Sequence, residues 1–113
     1  MSACAKRRKL PPPTRGQFIK EDDMLFMIIE HFHDNDPKPL YKRFQEKGRM
    51  MPDGLKYVGS WIEANFGRCF QLMECDNLSA IQEWVLVWGD LTHFEIVPVV
   101  PSKETSELVN RYI

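Results

Sequence analysis

The sequence predicts an α+β domain with the element order β-α-β-β-α-β. Three observations predict it. Apolar stretches of strand length alternate with stretches whose apolar residues recur at helical spacing. Turn or cap residues mark the boundaries: Asp36-Pro37, Pro52-Asp53-Gly54, Asn65-Phe66-Gly67, Asp76-Asn77 and Gly89-Asp90. Finally, strands two and three are joined by a short hairpin loop, whereas the other connections carry a helix, which is the split βαβ order.

Met24–Phe32 (MLFMIIEHF) is apolar on both alternating faces until Glu30, as a central strand covered on both sides would be. His33 to Pro37 is a loop in which Asp36 caps the next helix and Pro37 suits its first position. That helix covers Lys38–Lys47, with Leu40, Phe44 and the later Met51 near one face, Tyr41 beside them, and Gly48 as its stop. Leu55–Ile62 is the second strand. Asn65-Phe66-Gly67 turns it into the third, Arg68–Glu74, with Gly67 expected at positive φ. Asp76, Asn77 and Ser79 are all capping types, and any of them can begin the second helix, Leu78–Trp88. Its inner face is expected at Leu78, Ile81, Val85 and Trp88, with Trp84 on the flank. His93–Val100 is the last strand, and Pro98 within it requires a sheet edge or a bulge. Ser102–Ile113 forms a short terminal helix.

This order is the ferredoxin-like plan: a four-stranded antiparallel sheet with two helices on one face. The helices cover one sheet face, yet the first strand is apolar on both. The predicted solution is a homodimer that packs two sheets face to face, a dimeric α+β barrel enclosing a cavity, because an exposed apolar sheet is an association liability.

Fifteen Lys and Arg against sixteen Asp and Glu leave a net charge of −1, which argues against a broadly basic nucleic-acid-binding domain. The average conceals a split. Residues 1–23 carry a net +3 and the remainder −4. The first segment, with Pro11, Pro12 and Pro13 and no apolar periodicity, reads as a disordered basic and proline-rich tail. Residues 24–113 are the folded domain. The cluster Lys6-Arg7-Arg8-Lys9 is the only feature suited to nucleic acid or another polyanion. No apolar run is long enough to span a bilayer. Cys4, Cys69 and Cys75 are odd in number and without a CxxC pair, which argues for thiols in a reducing cytoplasm.

The stretches GRMMPDGLKYVGSWIEA, RCFQLMEC and WVLVWGDLTHFEIVPVVPSKE resemble a bacterial family catalogued as a domain of unknown function, number 3303. The resemblance covers about Met24–Glu104. It implies membership of the dimeric α+β barrel superfamily, whose members include cofactor-free monooxygenases, small-molecule isomerases, heme-binding peroxidases and ligand-sensing regulatory domains. It transfers no residue roles.

A ligand is expected on the sheet face away from the helices, within the dimer cavity. Alternation assigns side chains to that face. On the first strand they are Leu25, Met27, Ile29 and His31. On the second they are Tyr57, Gly59 and Trp61, and on the third Cys69, Gln71 and Met73, with Phe70 and Leu72 turned to the helices. On the last strand they are His93, Glu95, Val97 and Val99. Glu95, His31 and His93 are thus the catalytic candidates, since a carboxylate beside a histidine in an apolar cavity makes an acid–base pair. Tyr57, Trp61, Cys69 and Gln71 are the candidates for binding a small apolar or aromatic molecule. The competing reading is a non-enzymatic binding or regulatory module, with Gln71 and Glu95 paired across a filled dimer interface. Arg43, Arg49 and Arg68 read as solvated or paired surface charges. His31 and His33 lack a third ligand, so no metal and no cofactor is predicted.

Overall fold

The computed structural model describes residues 23–113. The tail and its basic cluster lie outside the described residues, apart from Asp23. The elements are β1 (Met24–Phe32), α1 (Lys38–Lys47), β2 (Lys56–Ile62), β3 (Arg68–Cys75), α2 (Leu78–Trp88), β4 (Thr92–Val99) and α3 (Ser102–Asn110). The strands form one antiparallel sheet in the order β2-β3-β1-β4, the ferredoxin-like arrangement. β4 is an edge strand, as Pro98 requires.

The core lies on the helix-covered face. Phe26 and Ile28 of β1, Met73 and Cys75 of β3, and Ala80, Ile81, Trp84 and Trp88 of α2 are buried together. Leu40 and Phe44 of α1 pack against them. Trp84 meets Phe94 of β4 edge-on, with ring centroids 5.4 Å apart. The inner face of α2 is therefore centred on Trp84, and Leu78 is exposed. Leu78 stands in the first turn of α2, whereas the buried Trp84 and Trp88, one turn apart, follow Ala80 and Ile81 on the inner face. Asn77 is the cap, its side chain accepting from Ser79 N at 2.9 Å, and Asp36 Oδ1 accepts from Lys38 N at 3.0 Å.

Two local expectations are corrected. In the β2–β3 hairpin the positive φ falls on Phe66 (63°), not on Gly67. Asn65 Oδ1 accepts from Gly67 N and Glu63 O from Phe66 N, and these bonds hold the turn in that form. In β2 the ladder is irregular between Tyr57 and Gly59, leaving Val58 as an extra residue. This bulge reverses the alternation, so Tyr57 does not share a face with Trp61.

The opposite sheet face carries Leu25, Met27, Ile29, Phe70, Leu72 and Val97, all half-buried or exposed, and Trp61, which is 57% exposed. Among the described residues no helix is long and apolar enough to cross a membrane.

Candidate functional site

The sheet divides the predicted site residues into two groups. On the open face, Trp61, Phe70, Ile29 and Glu95 stand in one cross-strand row, and His31 lies opposite both Arg68 and His93. His31 Nε2 and Glu95 Oε1 are 2.6 Å apart, and the His31 and His93 rings are 6.0 Å apart at 51°. His31 and Glu95 are therefore within hydrogen-bond distance of one another, and both are half-exposed. The guanidinium of Arg68, which stands opposite His31, is paired with Glu63 at 2.8 Å.

Tyr57, Cys69, Gln71 and Met73 face the helices instead, and Phe70 and Leu72 face away from them. For β3 the cause is register. Cys69 stands opposite Glu30 and Gln71 opposite Ile28, and residues directly opposite share a face. For Tyr57 the cause is the bulge at Val58.

On this side the structure assembles a site that the sequence pattern did not single out. Glu30 is 2% exposed and accepts a hydrogen bond from Gln71 Nε2 at 2.7 Å. Gln71 Oε1 in turn accepts from Arg49 Nε at 3.4 Å. Gln71 thus links a buried carboxyl to a guanidinium that does not touch it directly. Burial pushes the Glu30 carboxyl up to about 7, against the opposing effects of Gln71, Cys69 and Arg49. Burial, with Glu30 beside it, pushes the Cys69 thiol up to about 12, so it stays protonated. The Tyr41 hydroxyl is also raised, first by burial and then by Cys69 and Glu30.

Arg49 owes its place to the backbone around it. Gly48 ends α1 at φ 71° and ψ −162°, which a side chain would strain, and Met50 follows at φ 55°. This double turn points the Arg49 carbonyl inward, where it accepts from both indoles, Trp84 Nε1 and Trp88 Nε1, each at 3.0 Å. The side chain lies over Tyr57, its guanidinium carbon 3.7 Å from the ring centroid, and 5.2 Å from that of Phe44. A core hydrogen bond and two aromatic rings therefore fix a cation at the rim of the core.

These groups line a pocket of about 150 Å³ between the sheet and the two helices. Its polar side chains are Glu30, Gln71, Cys69, Arg49, Tyr41 and Ser60. Its walls are Phe32, Leu40, Phe44, Ile62, Trp84 and Trp88. Tyr41 and Ile62 are exposed at its mouth, and Glu30 and Trp84 are buried at its floor. Cavities of this size accept a single benzene ring. A carboxyl poised near neutrality in such a place can take up or release a proton. A wider depression of about 370 Å³ beside α3, lined by Val100, Ser102, Thr105 and Val109 among others, contains no ionisable side chain. Among the described residues no group of three His, Cys, Asp or Glu is placed to hold a metal ion.

Glu30 was open to discovery in the sequence as the single charged residue among Phe26, Ile28 and Phe32. Arg49 carried no such signal.

A family model, Domain of unknown function (DUF3303), matches residues 24–113. No curated protein and no solved structure matches the chain.

Proposed function

Because the chain belongs to DUF3303, a family defined only as a domain of unknown function, we propose its function from its site alone: it binds a small apolar or aromatic molecule between sheet and helices and exchanges a proton with it through Glu30. The observation that carries this reading is the placement of a buried carboxyl and a fixed guanidinium, joined by one glutamine, in a pocket with aromatic walls. The chemistry is isomerase-like. Glu30 gives its proton to one position of the ligand and takes one back from another, and Arg49 faces the ligand's negative charge. The pocket replaces the open sheet face as the binding place. Of the four expected binding residues it retains Cys69 and Gln71 in its lining, with Tyr57 beneath Arg49.

We assign the open sheet face to a second copy of the chain. Its half-buried row of Leu25, Met27, Ile29, Phe70 and Leu72 is apolar enough to favour association, and His31 and Glu95 would then lie at the interface. The buried free thiols Cys69 and Cys75 suit a reducing compartment, and the cytoplasm is the setting we assign.

The test is protein-observed NMR of the three indole N–H resonances during titration with one-ring compounds. Trp84 and Trp88 should shift and Trp61 should stay. A shift of Trp61 alone would return the site to the open face. No shift at any ring would favour the non-enzymatic module.

A further inference from the structure

We infer that the pocket selects a small monoanion, a carboxylate on a single ring or short apolar chain, whose charge lies against the Arg49 guanidinium. This rests on the pocket being the binding place.

Three features of the lining carry the inference. The first is the state of Arg49. Among the described residues, Arg43 is forked onto Asp90 at 2.8 and 2.6 Å and Arg68 is paired with Glu63. Arg49 has no ion pair among the described residues. Its one side-chain bond there, from Nε to a neutral amide, leaves both terminal nitrogens without an acceptor among the described residues. The second is its rigidity. Stacking on Tyr57 and the two indole bonds to its carbonyl hold it in place, so a planar anion meets a preset fork. The third is the charge of the floor. The groups facing Glu30 are Cys69 and Gln71 from β3, Tyr41 from α1 and Arg49 from the following turn. α2 and β4 present Trp84, Trp88 and Phe94. Cys69 and Tyr41 remain neutral at physiological pH, so Glu30 alone decides the pocket's charge. With Glu30 ionised, an anion meets a carboxylate. With Glu30 protonated, the pocket is a net cation with an acid O–H to donate to the ligand. Binding an anion therefore draws a proton onto Glu30, and protonation draws in the anion by the same factor.

The test uses the full chain and three probes of one shape and different charge: benzoate, benzamide and benzamidine. Binding is read by tryptophan fluorescence between pH 5.5 and 8.5, with the indole N–H resonances reporting the place. Benzoate should bind tightest and weaken about tenfold per pH unit above neutrality. Calorimetry at pH 8 in buffers of different ionisation enthalpy should count close to one proton taken up. Glu30→Gln, which imitates the neutral acid, should bind benzoate with no pH dependence. Arg49→Gln keeps the backbone carbonyl that the indoles use, and it should lose benzoate at least tenfold while keeping benzamide. Benzamide or benzamidine binding as tightly as benzoate at Trp84 and Trp88, or benzoate binding independent of pH in the wild type, would overturn the inference and leave the pocket standing. If no probe reaches Trp84 or Trp88, the pocket reading and this inference fall together.

Discussion

Replacing Glu30 by glutamine should change how stability depends on pH. The carboxyl moves from an ordinary 4.5 to about 7 on folding, because burial at 2% exposure disfavours its charged form. A raised acid makes its contribution in the protonated state. That contribution is whole below pH 4.5, falls as pH rises through about 7, and is absent above it. At about 1.4 kcal/mol per pH unit, the wild type loses about 3 kcal/mol from this residue between pH 4.5 and pH 8. Glutamine keeps an acceptor for Gln71 Nε2 and does not titrate, so Glu30→Gln lacks this loss. Glu74, raised by burial, and Glu63 and Asp90, lowered by their arginines, titrate in both proteins and cancel in the difference. The assay is urea denaturation followed by tryptophan fluorescence at four pH values. Glu30→Gln should gain about 3 kcal/mol on the wild type between pH 4.5 and pH 8, most of it between pH 5 and 7. A stability difference that stays constant across this range would refute the assignment of a buried, proton-binding Glu30.

Other perturbations follow from the packing. Trp88→Phe removes one of two donors to the Arg49 carbonyl and should cost about 1–2 kcal/mol in thermal unfolding. Adding Trp84→Phe leaves that carbonyl unpaired, so the double variant should lose more than the two single losses combined. Ile28→Ala opens a void at a fully buried position and should cost about 2–5 kcal/mol by urea unfolding. Light scattering should find the wild type at twice the chain's 13.3 kDa, and Ile29→Lys on the open face should halve that mass with the circular dichroism unchanged. A wild type at the single-chain mass would discard the face-to-face dimer.

The fold was legible because cap, turn and period signals agree along most of the chain, from Asp36 before α1 to Pro98 on an edge strand. The faces of β1 and β4 were legible too, since Phe26, Ile28 and Phe32 alternate with Met27, Ile29 and His31, and Phe94 with His93 and Glu95. β3 was not. Phe70 and Leu72 are more apolar than Cys69 and Gln71, so hydrophobicity argued for the wrong phase. What decides the phase is that Glu30, once buried, needs a donor, and antiparallel register brings Gln71 within reach. The one-residue bulge at Val58 leaves no mark in an apolar-polar pattern, so alternation alone puts Tyr57 on the wrong side. From spacing alone Arg49 resembles any surface charge, because its setting depends on the backbone at Gly48 and Met50, which no spacing rule describes.

The Gln71 amide has a consequence for speed as well as for charge. A carboxylic acid still offers an oxygen that can accept from Gln71 Nε2, and the amide oxygen can still accept from Arg49, whichever form Glu30 takes. The proton can come and go while the surrounding dipoles hold their orientation. A site that titrates without reorganising its surroundings has a small intrinsic barrier to proton movement, and its rate is governed by access through the mouth at Tyr41 and Ile62.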